Sequence, residues 1–210
     1  GSGLRPLTQF KGEMHLADLA AWPDGTGVSA ACLDPLQHSS GILLLSLEGT
    51  VAPSLELAEY LGPKPQRIDE LNGQVVILFF WAHWCSDCKS QAPILADLAA
   101  RYRERGLALI APTQRYGYVA GGKTATAEEE ARYIDQVRQT VYGSLGGVSV
   151  PLAEGNHTRY GVSTTPTLVV VDRKGLVRLY HPGRISQETL EPLVQRLLAD
   201  GAGSVRPSNE

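Results

Sequence analysis

The chain has 210 residues, 19 Lys and Arg against 22 Asp and Glu for a formal charge of −3, and 43% hydrophobic residues. That is enough chain for one domain with a full core and an extension, and the charge supplies no basic face for nucleic acid. No apolar stretch approaches the roughly 18–20 residues of a transmembrane helix; the longest near-candidate, Ile42 to Leu47, is only strand length.

Gly1-Ser2 looks like a cloning remnant, so the lack of a targeting segment carries little weight for the natural protein's compartment. Residues 1–50 read as an N-terminal extension. They hold a candidate helix from Met14 to Trp22, a Pro23-Asp24-Gly25 turn, and the run Ile42 to Leu47. That run could add an edge strand to the following sheet, cover one of its faces, or close a preceding domain. Cys32 lies here, and a lone third cysteine is more often an inert thiol than a redox participant.

Val75 to Phe80 is a continuous apolar run suited to a strand buried on both faces. Ala92, Leu95, Leu98, Ala99 and Tyr102 then recur at helical spacing, and Leu107 to Ala111 reads as a second central strand. After Tyr116-Gly117-Tyr118-Val119-Ala120-Gly121-Gly122 comes Thr126-Ala127-Glu128-Glu129, a capping-box pattern opening a helix that runs to about Tyr142. Val150 to Ala153 is a short strand, and Glu154 to Tyr160 a turn or short helix. Asn156-His157-Thr158 meets the glycosylation sequon, a triplet that also arises by chance. Thr167 to Val171 and Leu176 to Tyr180 form a hairpin around Gly175. Ser186 caps a last amphipathic helix bearing Leu190, Leu193, Val194, Leu197 and Leu198, which Gly201 ends; residues 201–210 read as a disordered tail.

The chemistry lies at the first strand-to-helix junction, His83-Trp84-Cys85-Ser86-Asp87-Cys88-Lys89. Unpaired N–H groups and the helix dipole stabilise a thiolate there and can bring a cysteine pKa from about 8.5 to roughly 3.5–7.5. Cys85, at the exposed start of the helix, is expected to attack a partner's disulfide. Cys88, one turn on and more buried, then attacks Cys85's sulfur and releases the partner reduced; the same steps reversed oxidise a dithiol. The spacing is also that of half a zinc site, but a structural zinc takes about four ligands, and Cys32 is the only other cysteine. No metal site is therefore expected.

With these residues the chain resembles the thioredoxin superfamily, and within it the TlpA/ResA-like branch of thiol-disulfide oxidoreductases. Ala52-Pro53-Ser54-Leu55-Glu56-Leu57 is similar to that branch's opening strand, and Ile68 to Val76 to its turn into the central strand. Tyr160 to Asp172, with Thr165-Pro166 inside it, resembles the second signature, whose proline is normally cis. The likeness covers about residues 52 to 200. It implies an α/β, thioredoxin-like three-layer fold over 51–200, a central mixed β-sheet flanked by helices. It also implies that Thr165's backbone groups pair with an extended substrate segment beside Pro166. Trp84 should belong to the apolar surface that meets partners, with Trp81 packed under the loop.

Two positions depart from the family. Phe79 stands where many thioredoxins have a buried aspartate, and Gln91 where the ResA-like branch often has a glutamate. The proton on Cys88 must then leave to Asp87, His83 or water. Ser86, Asp87 and His83 are the expected tuning residues: Asp87 opposes a thiolate, His83 favours one if protonated, and the plain reading of both is a polar rim on an exposed surface. The Ser86-Asp87 pair lacks the histidine of strongly oxidising relatives, which points to a reducing protein.

The resemblance implies a disulfide reductase for protein thiols and disulfides that uses no cofactor. It would work in an extracytoplasmic compartment, bacterial periplasm or cell surface, fed by a membrane-bound electron donor; a cytoplasmic setting stays open. Oxidase or isomerase action is the alternative direction. A thiol peroxidase is the weaker reading, because the Pro-x-x-x-Thr/Ser-x-x-Cys pattern of peroxiredoxins is missing before Cys85. A binding module without turnover is disfavoured by Cys85, Cys88 and Pro166 together.

Overall fold

A computed structural model describes residues 47–143 and 147–200 in full and the backbone of three earlier strands. Those strands, β1 (Leu16–Ala21), β2 (Val28–Leu33) and β3 (Ser40–Leu43), form an antiparallel sheet in the order β1-β2-β3. The stretch expected to be helical from Met14 to Trp22 is thus a strand over Leu16–Ala21. Helix propensities differ by only a few tenths of a kcal/mol per residue, which a ladder pairing Leu19 with Ala30 and Ala21 with Val28 overrides. The first half of the apolar run, read as an edge strand of the main sheet, a cover for one of its faces or the close of a preceding domain, pairs with β2, Ile42 opposite Ala31, and not with the main sheet. The Pro23-Asp24-Gly25 turn and the tail from 201 lie outside the described residues.

The main body continues with β4 (Tyr60–Leu61), β5 (Val75–Phe80), α1 (Ser86–Tyr102), β6 (Leu107–Ile110), β7 (Tyr118–Val119) and β8 (Lys123–Thr124). Then come α2 (Ala127–Thr140), β9 (Val150–Pro151), α3 (Glu154–Arg159), β10 (Thr167–Val171), β11 (Val177–Pro182) and α4 (Gln187–Ala199). A four-stranded sheet runs β11-β10-β5-β6, with β6 parallel to β5 and the β5–β10 and β10–β11 pairs antiparallel. It is mixed because α1 carries the chain back for a parallel β6, whereas Gly175, at φ 77°, lets β10 turn directly into β11.

The side-chain alternation of β5 builds two cores. Val75, Ile77 and Phe79 pack with Leu95 and Leu98 of α1, Ile134 of α2, and Leu190 and Val194 of α4. Val76, Leu78 and Phe80 pack with Leu55, Leu71, Tyr160 and Val169 on the other face. Each fully buried aliphatic or phenyl side chain contributes about 1.5–3 kcal/mol, so β5 anchors the fold and fixes where its C-terminal end delivers the cysteines.

Ala52–Leu57, expected to be the opening strand, is not one. Only Val51 makes a bridge, to Leu176. Pro53 brings no N–H, and the Glu56 N–H is taken by the Asn156 side chain at 2.7 Å. The Asn156 amide also donates to the Glu56 carbonyl, 3.1 Å. Asn156 is fully buried, so the folded chain presents no glycosylation acceptor there.

Candidate active site

Cys85 caps α1 in extended conformation, and its Sγ accepts the Cys88 N–H at 3.0 Å. A sulfur at an N-cap takes over one of the donors a helix start leaves unpaired, which is also the interaction that favours a thiolate there. Cys85 and Cys88 are joined by a disulfide, their Cα atoms 5.3 Å apart. Cys85 retains 4% exposure and Cys88 none. Cys85 is therefore the more accessible sulfur, but it is recessed rather than exposed, with Trp84 beside it at 50% exposure.

The Thr165–Pro166 peptide bond is cis. It lies where β10 begins, antiparallel to β5 with Thr167 opposite Phe80, so the two sequence signatures meet at one end of the sheet. The Thr165 carbonyl oxygen is 3.4 Å from Cys85 Sγ. Around it, Thr167 Oγ1 donates to the Thr164 carbonyl at 2.7 Å, and the Gly183 N–H donates to the Pro166 carbonyl at 2.7 Å. Cys85, Cys88, Trp84, Thr165 and Pro166 are thereby gathered, with Ser86 and Asp87 exposed on the first turn of α1.

The loop between β5 and α1 is held from below by residues of later segments. Trp81 Nε1 donates to the Ala111 carbonyl at 2.9 Å, and Thr113 Oγ1 donates to the Trp81 carbonyl at 2.6 Å. The Tyr142 hydroxyl lies 3.4 Å from the Ala82 carbonyl and 3.3 Å from that of Cys85. Its ring packs on Trp81 at 4.6 Å between centroids. Burial raises the Tyr142 pKa, keeping it a neutral donor.

His83 overturns its expected place on the rim. It is buried, with Nε2 3.4 Å from Glu130 Oε1, and the Glu130 carboxylate is buried too. Tyr116, Tyr118 and Tyr133 present edges or faces to the imidazole at centroid distances of 5.7, 5.4 and 5.3 Å. Burial lowers the His83 pKa, while the charge of Glu130 pulls the other way. Glu130 is satisfied as well by the Tyr116 N–H at 2.5 Å and the Gly117 N–H at 2.8 Å.

Gln91, at the position where a glutamate was the family expectation, is fully buried and accepts the Ile185 N–H at 2.9 Å, tying α1 to the segment before α4. The sequence reading passed over Glu130 and the tyrosines. A signal for Glu130 existed: it precedes Ile134 by four and Val137 by seven, on the buried stripe of α2. The run Glu128-Glu129-Glu130 masked it as an ordinary solvated acidic face.

Residues 49–180 match the AhpC/TSA family. Thiol-disulfide oxidoreductase ResA of Bacillus anthracis is 26% identical over 149 residues, 71% of this chain and 78% of that one. Thiol:disulfide interchange protein DsbE of Xylella fastidiosa is 28% identical over 158 residues, 74% of this chain and 71% of its own. Among solved structures, a Chlorobium tepidum protein described as a thiol:disulfide interchange protein DsbE superposes with a TM-score of 0.55 at 25% identity. That match covers 72% of this chain and 97% of the other.

Proposed function

Because the chain belongs to the AhpC/TSA family, with ResA and DsbE proteins among its relatives, we propose that it is a thiol-disulfide oxidoreductase reducing protein disulfides through Cys85 and Cys88. In the reduced form the Cys85 thiolate attacks one sulfur of the partner's disulfide, forming a mixed disulfide and expelling the partner's other sulfur as a thiolate. Cys88 loses its proton and attacks Cys85's sulfur. The Cys85–partner bond breaks, the second partner sulfur leaves as a thiolate that takes up a proton, and the Cys85–Cys88 disulfide remains. Two electrons have passed to the partner, so a dithiol donor must restore the pair.

The observation that carries this reading is the Cys85 Sγ acting as helix cap to the Cys88 N–H, in reach of the cis-proline loop. Trp84 and the Thr165-Pro166 turn form the surface that meets an extended partner segment, and 51–200 is the working unit with 1–50 as an extension. Among the described residues, no helix is long and apolar enough to cross a membrane. The ResA and DsbE relatives support an extracytoplasmic setting, and a membrane-bound donor that restores the dithiol is part of the same proposal.

Direction is tested by the equilibrium reduction potential of the Cys85–Cys88 pair against glutathione, with Cys88→Ser as control. A value near or below about −270 mV is expected of a reductase, and one near about −120 mV would make the protein an oxidant of dithiols. Insulin reduction set against peroxide consumption separates the protein-disulfide reading from a peroxidase.

A further inference from the structure

Glu130 lies outside the strand–helix unit that carries the cysteines, yet its carboxylate faces His83 in the loop before them. It sits on the apolar stripe of α2 with Ile134 and Val137 at 1% exposure. Filling that position needs no charge, and a buried carboxylate is costly unless its oxygens are well partnered. Both are. Oε2 accepts the Gly117 N–H, and Oε1 accepts the Tyr116 N–H while facing His83 Nε2. One side chain therefore clamps the backbone after β6 and faces, at 3.4 Å, the imidazole that comes immediately before Trp84.

The contacts continue outward. The Tyr116 ring, placed by that backbone clamp, packs edge-on against His83 and also against Trp84, at 5.4 Å between centroids. Trp84 is half exposed and adjacent to Cys85. A large exposed ring is ordinarily ordered only when a partner binds, at an entropic cost that lowers affinity; a ring already buttressed does not incur it.

We infer that Glu130 is a positioning residue of the dithiol reaction, setting the partner-facing pose of Trp84 through Tyr116 and His83. The inference rests on the reading of Trp84 as a substrate contact. It assigns Glu130 no contact with substrate or sulfur, and it predicts a defect in partner capture rather than in sulfur exchange.

Two variants test it. Glu130→Gln keeps shape and volume, but its NH2 must face one of the two backbone N–H groups, which breaks one arm of the clamp. Tyr116→Leu leaves both arms and removes the ring. NMR first compares the proton–proton contacts of the Trp84 indole with the Tyr116 ring in wild type and Glu130→Gln, using the Trp81–Tyr142 contact as internal reference. Steady-state kinetics on insulin and on hydroxyethyl disulfide, too small to span the tryptophan, then follow for all three proteins. The Trp84–Tyr116 contact should weaken in Glu130→Gln with the reference kept. KM for insulin should rise about threefold to tenfold in both variants, with kcat on insulin and the rate on hydroxyethyl disulfide close to wild type.

An unchanged Trp84–Tyr116 contact in Glu130→Gln overturns the inference, as does a lost contact with unchanged KM, or an equal fall on both substrates. If Glu130→Gln does not fold, Glu130→Asp, which keeps the charge but shortens its reach to the two N–H groups, takes its place in the NMR and KM comparisons with the same expected and overturning results. A wild type that leaves insulin oxidised would sink the reductase reading instead, and the NMR comparison would still decide whether Glu130 holds Trp84.

Discussion

His83 and His157 are both nearly closed to solvent, at 4% and 5% exposure, but their surroundings differ in kind. His83 faces the Glu130 carboxylate among three tyrosine rings. His157, on α3, packs against Phe80 at 5.2 Å with no carboxylate facing it; by hydrogen-bond geometry His83 Nε2 and both nitrogens of His157 alike have no partner among the described residues. Burial lowers both pKa values. For His83 a carboxylate opposes the shift; for His157 the only counterweight is the nearby Ala153 carbonyl, and its pKa falls to about 4. Burial sets the cost of carrying a proton, and a facing carboxylate decides whether the site is organised to bear it. The first histidine belongs to a polar network beneath the cysteines, while the second fills space.

The comparison breaks most sharply if the carboxylate is removed. Glu130→Ala leaves the Tyr116 and Gly117 N–H groups without their acceptor and His83 without its facing charge. Tyr116 is half-buried and Gly117 exposed, so water reaches part of the gap; against about 1–3 kcal/mol for an orphaned buried group, unfolding free energy should fall by about 3 kcal/mol in all. Urea denaturation reads this directly. A loss below about 1 kcal/mol would mean that water takes over the carboxylate's role and that the two histidine sites differ less than their contacts indicate.

His157 gives the next largest effect, and it depends on pH. A base whose folded pKa lies below its unfolded value binds fewer protons when folded, so its contribution is intact above the unfolded pKa and is lost as pH falls. With about 4 folded and about 6.5 unfolded, the loss is about 2 kcal/mol by pH 5 and about 3 kcal/mol below pH 4. His83 adds to the loss in the same direction. His157→Leu should flatten the fall in denaturation midpoint between pH 7 and 5. An unaltered slope would show that His157 finds a proton partner in solution and does not contrast with His83.

These environments also show what the sequence could carry. The run from Val75 to Phe80 and the two signatures around Cys85 and Pro166 were legible because each is local: an unbroken apolar run, a fixed cysteine spacing, and a proline before a buried strand. The Thr126 capping box was equally readable, and its reciprocal bonds with Glu129 are present at 3.3 and 2.9 Å. Leu16–Ala21 and Ala52–Leu57 were misread for a shared reason. Whether a short segment is a strand depends on the ladder it finds, and β2 supplies one for the first while Pro53 and Asn156 deny it to the second. The setting of His83 was out of reach for a related cause. Its partner lies 47 positions further along the chain, and adjacent glutamates look alike until the helix is rotated into place.

Glu191 supplies the smallest effect and the control for Glu130. It has many partners, accepting from Arg101 through two nitrogens, from the Tyr102 hydroxyl at 2.5 Å, and from Gln187 and Gln195 at 3.0 and 3.3 Å. The Arg101 guanidinium holds its carboxyl down to about 2. Whatever stability that shift carries is present above the ordinary carboxylate range and lost only as pH falls through about 2. Its side chain keeps 18% exposure, at the rim of the fold rather than in the core, so water and salt compete for these bonds. Glu191→Gln should therefore leave the urea midpoint at pH 7 within the error of the measurement, in low and high salt alike. A loss matching that of Glu130→Ala would mean that the number of partners, rather than their burial, decides what a carboxylate is worth in this fold.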